Sequence, residues 1–79
     1  MPVAKAHTPT PTARAKRVRS IRSLRRGDIV EARSSGETYF RGEVQETAPG
    51  LFTVWVRDET SGLRIALSMD DFTLWKVPS

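Results

Sequence analysis

The chain is 79 residues long, carries thirteen Lys and Arg against nine Asp and Glu, has no cysteine, and bears a formal net charge of +4. That length allows one small domain with little room for a deep substrate pocket. The missing thiols exclude disulfides, thiolate metal sites and thiol catalysis. The longest apolar runs are too short to cross a bilayer and the N-terminus lacks the apolar stretch of a secretory signal, so an intracellular protein, cytoplasmic, nucleoid or nuclear, is expected. An Arg-rich, acid-free start is also compatible with organellar targeting.

The charge is divided between two regions. Residues 1–26 hold eight Lys and Arg and no acid, whereas residues 27–79 hold five bases and all nine acids. The first region is expected to be a disordered basic tail and the second a folded domain. Within the tail, Met1 to Thr12 alternates Thr with Pro and has almost nothing to bury, which predicts an extended arm. His7 lies inside that arm and reads as a solvated side chain. From Ala13 to Arg26 the prolines stop, and Val18, Ile21 and Leu24 recur every three residues on a cationic background. The spacing allows a short helix over 14–25, too short and too self-repelling to stand alone. Docking on the folded domain, contact with an anionic membrane and a coincidence of spacing all fit that stripe.

At Gly27 the pattern changes to short alternating runs. GDIVEAR reads as a strand closed by Ser34, Ser35 and Gly36, TYFRGEVQET as a second ended by Ala48-Pro49-Gly50, and LFTVWVR as a third. Asp58 to Gly62 turn the chain into LRIALS, MDDF suits one turn of 3-10 helix, and TLWKV closes the set. Five short strands at this spacing predict an all-β barrel or sandwich. Alternation puts Val30, Ala32, Phe40, Gly42, Val44, Phe52, Val54, Val56, Leu63, Ile65 and Leu67 inside, with Phe72 plugging one end. Gly42 marks a bend or bulge. Tyr39, Arg41, Glu43, Thr53, Trp55, Arg57 and Arg64 then face outward.

Gly27, Asp28, Val30 and Ala32, then Tyr39, Phe40, Arg41, Gly42 and Val44, then Asp58, and finally Asp71 and Phe72 occur in an order that resembles an SH3-like barrel of the Tudor type over residues 27–79. The resemblance implies a small five-stranded all-β barrel with a 3-10 turn before its last strand. Such barrels bind nucleic acid, methylated side chains or other proteins, so the fold leaves the function open. In the domains that read methyl marks, aromatic rings cage the cation. Tyr39 matches one cage position and Trp55 offers a second ring, but Glu59 follows Asp58 where readers carry an aromatic residue.

No enzyme motif emerges, and no cofactor or metal is expected. The neighbouring carboxylates Asp70 and Asp71, or Asp58 and Glu59, diverge from turns or strands instead of converging on one atom, and the glycines make no phosphate loop. Binding is better supported. Arg14, Lys16, Arg17, Arg19, Arg22, Arg25 and Arg26 can neutralise phosphates and release their counterions, and arginine predominates over lysine, which suits bidentate phosphate contact. On the barrel, Tyr39 and Trp55 with Arg41, Arg57 and Arg64 form a candidate stacking and backbone-tracking face. Ordinary surface packing of Trp55 between Glu43 and Arg64 or Ala66 ranks ahead of that face, and cover of Trp55 or Trp75 by Ile21 and Leu24 ranks behind it. The expected function is non-catalytic binding of DNA or RNA, with docking on a larger protein assembly as the alternative and methyl-mark reading ranked below both. Neither the choice between DNA and RNA nor the oligomeric state is set by these residues.

Overall fold

The computed structural model describes residues 9–78. Six strands, β1 (Lys16–Val18), β2 (Ile29–Ser34), β3 (Glu37–Ala48), β4 (Thr53–Asp58), β5 (Arg64–Ser68) and β6 (Thr73–Lys76), form one antiparallel sheet in the order β1-β6-β2-β3-β4-β5. The five expected strands are present as β2 to β6. The sixth is β1, and with β1 and β5 at its edges the sheet is not closed into a five-stranded barrel.

The basic segment is where the fold departs most from expectation. No helix spans 14–25. Lys16–Val18 instead pairs with β6, placing Val18 opposite Leu74, and Ile21–Ser23 makes a single 3-10 turn. Ser20 starts that turn from an extended conformation, and its Oγ accepts a hydrogen bond from the Arg22 N–H at 3.3 Å. A three-residue recurrence is the period of a 3-10 turn, so Ile21 and Leu24 fall on one side. Both are buried with Val18 in the same cluster as Val30, Ala32, Val44, Val54, Val56, Leu67 and Leu74. Residues 16–24 thus belong to the core, whereas residues 1–8, with His7 and most of the Thr-Pro arm, lie outside the described part of the chain.

The remaining elements follow local chemistry. Ser35 and Gly36 both have positive φ, as a two-residue turn of type I′ requires, and connect β2 to β3 with Ser34 opposite Glu37. The register of β3 shifts twice, skipping Tyr39 against β2 and Gln45 against β4, so bulges flank Gly42 instead of occurring at it. Gly42 answers a close approach: a Cβ there would lie 2.2 Å from the Arg57 carbonyl oxygen. After β4, the Asp58 carboxylate accepts from the Ser61 N–H at 2.8 Å and Gly62 takes a φ of 74°.

Three further expectations are corrected. Phe52 and Leu63 are 60% and 64% exposed because each lies in a connection, where strand alternation does not apply. Pro49–Leu51 forms a 3-10 turn, and Phe52 ends it in the left-handed region, so β4 begins at Thr53. The MDDF segment makes a hydrogen-bonded turn in which the Ser68 carbonyl accepts from both Asp71 and Phe72 at 3.1 Å; the 3-10 turns stand elsewhere. Phe40, Ile65 and Phe72 are partly buried against the core, as expected.

Candidate nucleic-acid interface

The cationic segment is carried on a fixed backbone. Arg14, Lys16, Arg17, Arg19, Arg22, Arg25 and Arg26 are all exposed, and among the described residues none of them joins an ion pair. The reason is geometric. Pairing of β1 with β6 and burial of Val18, Ile21 and Leu24 leave the cationic side chains around them in solvent. Arg26 alone among the seven reaches back to the sheet, its Nε donating to the Gln45 carbonyl at 3.1 Å.

The residues expected to form one aromatic and cationic face are not brought together as one cluster. Tyr39 is the bulged residue of β3 and packs on Phe72, with ring centroids 6.1 Å apart. Trp55 stands between Glu46 and Ala66, whereas Glu43 lies opposite Arg57; the bulge at Gln45 puts Glu46 where unbroken pairing would put Gln45. The Arg64 guanidinium lies over its ring at 4.9 Å and pairs with Glu46 at 3.0 Å. Arg57 donates to the Gly62 carbonyl at 3.5 Å. Neither tryptophan is covered by Ile21 or Leu24 as the intramolecular reading required, since both apolar side chains enter the core.

Arg41 belongs to a different site, centred on Glu31. Register places Arg17, Trp75, Glu31 and Arg41 in succession across β1, β6, β2 and β3. Glu31 has no exposed surface. Its carboxylate accepts from Arg33 Nη2 at 2.6 Å and Nε at 3.0 Å, from Arg41 Nε at 2.9 Å, and from the Thr12 N–H at 3.2 Å, with a further bond from the Thr12 hydroxyl. The second acid on Arg41 is Glu59 at 3.1 Å, and Arg41 also donates to the Thr10 carbonyl. Arg33 stacks on Trp75 at 4.5 Å. Burial by itself would raise the Glu31 carboxyl, but the bonds from Thr12, Arg33 and Arg41 outweigh it and hold the pKa at about 2. For Arg41 burial acts downward, yet Glu31 and Glu59 hold its pKa above the usual value. The network clamps residues 10–12 onto the sheet and consumes the charge of Arg41, which therefore is not a free phosphate ligand.

Glu31, Arg33 and Thr12 are absent from the sequence-based site. The alternation of Glu31 with Arg33 put them on one face of a strand, but their partner Thr12 is nineteen residues from Glu31 and no local signal joins the two. A second unanticipated feature is a groove of about 420 Å³ between the two 3-10 turns, lined by Arg19, Arg22, Phe52, Met69 and Asp70 among others.

Among the described residues no group of three His, Cys, Asp or Glu is arranged to hold a metal, and no helix is long and apolar enough to cross a membrane. No protein-family model, curated protein or solved structure matches the chain.

Proposed function

We propose that this protein binds nucleic acid without catalysing a reaction, through the cationic surface that runs from Arg14 to Arg26, on an SH3-like barrel of the Tudor type. The observation that carries the reading is the pinning of an acid-free run of seven exposed cations to the core at Val18, Ile21 and Leu24. Phosphates that meet cations on an ordered backbone release counterions without the entropic cost of ordering a tail. The small antiparallel sheet supports the SH3-like part, with the last strand, β6, returning beside β2.

The test replaces Arg14, Arg17 and Arg25 together with alanine and follows binding of labelled DNA and RNA by anisotropy. Each is exposed and, among the described residues, joins no ion pair, so the fold should be preserved. Affinity should fall at least tenfold at low salt, whereas unchanged affinity would sink the proposal. The second reading, docking on a protein assembly, draws support from the unpaired edge of β5 and from Leu63 exposed beside it.

A further inference from the structure

The geometry points to a base-binding site in the groove between Ile21–Ser23 and Pro49–Leu51: it takes one unpaired base of single-stranded DNA or RNA, stacked on Phe52, with its flanking phosphates on Arg19 and Arg22. This rests on the nucleic-acid reading above and adds a ligand class and a place to it.

Phe52 is the first observation. It has a φ of 51° and a ψ of 38°, a left-handed conformation that is a genuine outlier for a bulky side chain, yet 60% of the residue is exposed. A strained aromatic residue that gains little burial is a candidate for a binding role. Its backbone is tied at both ends, the N–H to the Pro49 carbonyl at 3.1 Å and the carbonyl to the Met69 N–H at 2.8 Å. The ring is therefore offered to solvent from a fixed position.

Charge is the second. Arg19 and Arg22 line the same groove, are exposed and have no acidic partner among the described residues, even though Asp70 lines it too. A ring beside two unpaired guanidinium groups suits a base and its phosphates. The volume of about 420 Å³ is within the range of roughly 300–1,000 Å³ typical of small-ligand sites. Asp70 gives the site a preference. A carboxylate accepts from an exocyclic amine, which cytosine carries and thymine and uracil lack. The groove also continues the cationic segment, since Arg19 and Arg22 belong to both.

The test uses the full chain and homopolymeric 12-mers of dC, dT, rC and rU, with a 12-base-pair DNA duplex as the control. Phe52→Gly suits the positive φ and keeps the fold; Phe52→Ala gives the same deletion with a Cβ. Each should weaken binding of the dC and rC strands about tenfold while duplex affinity and its salt dependence stay unchanged, in line with the measured worth of a base–aromatic stack. The dC strand should bind more tightly than dT, and Asp70→Asn should narrow that difference. Comparison of the dC and rC arms assigns the site to DNA or RNA. Wild-type protein that binds duplex and single strand, with both Phe52 variants equal to it on single strands, overturns the groove and leaves the cationic surface standing. Wild-type protein that binds no nucleic acid overturns both. Tighter binding of a Glu-rich peptide than of any oligonucleotide, abolished in Phe52→Gly, also overturns it by assigning the groove to a protein.

Discussion

Glu31 carries a negative charge with no exposed surface, held under Thr12 and between two guanidinium groups. In the unfolded chain its carboxyl takes up a proton near pH 4.5, whereas in the fold it stays ionised down to about 2. Its contribution, about 3 kcal/mol, is therefore fully present above pH 4.5 and is lost as the pH falls towards 2. Denaturant unfolding measured down this range should show that loss, and Glu31→Gln, less stable at neutral pH, should flatten the acid limb. An acid limb of equal steepness in the variant would refute the assignment. Thr38 is the opposite case, since its hydroxyl is buried with no hydrogen-bond partner. Thr38→Val keeps the shape and removes the orphan, so thermal unfolding should show a gain of about 1 kcal/mol. The residue types of both positions were plain in the sequence; their burial was not, because it depends on chain segments far away.

At the scale of elements, the strands β2 to β6 were legible from alternation and turn residues, and their order along the chain matched expectation. What local pattern missed was register. The bulge at Gln45 in β3 put Glu46 opposite Trp55 where an unbroken ladder would put Gln45, and one left-handed residue moved Phe52 out of the core. The larger miss was β1. The stripe of Val18, Ile21 and Leu24 was visible, but a three-residue strand has too little propensity to announce itself and forms because β6 offers it an edge. Leu24→Ala tests whether this segment is part of the core. A cavity at a side chain only 5% exposed should cost about 2–5 kcal/mol in denaturant unfolding. A loss below about 0.5 kcal/mol is what a dispensable tail would give.

On the scale of the whole molecule, opposite charges sit in consecutive stretches of the chain, and among the described residues the cations of Arg14 to Arg26 join no ion pair. The basic segment rests on the sheet through apolar side chains, and among the described residues its arginines leave the acids of β2 to β6 to other cations. Those arginines remain available to an external polyanion, which is why the Arg14, Arg17 and Arg25 replacement should also reduce the slope of log affinity against log salt by about 3, or about 1 for each phosphate no longer neutralised. Titrations between about 50 and 200 mM salt check it. The sequence by itself determined the quantities that depend on composition and short-range pattern: the charge asymmetry, the absence of thiol chemistry, the strand-forming stretches and most of the apolar core. Tertiary structure decided which cations stay free, which one is neutralised against Glu31, and that Arg19, Arg22 and Phe52 share one groove. Those outcomes depend on register, bulges and an edge pairing between residues nearly sixty positions apart, Val18 and Leu74, and no local preference encodes them.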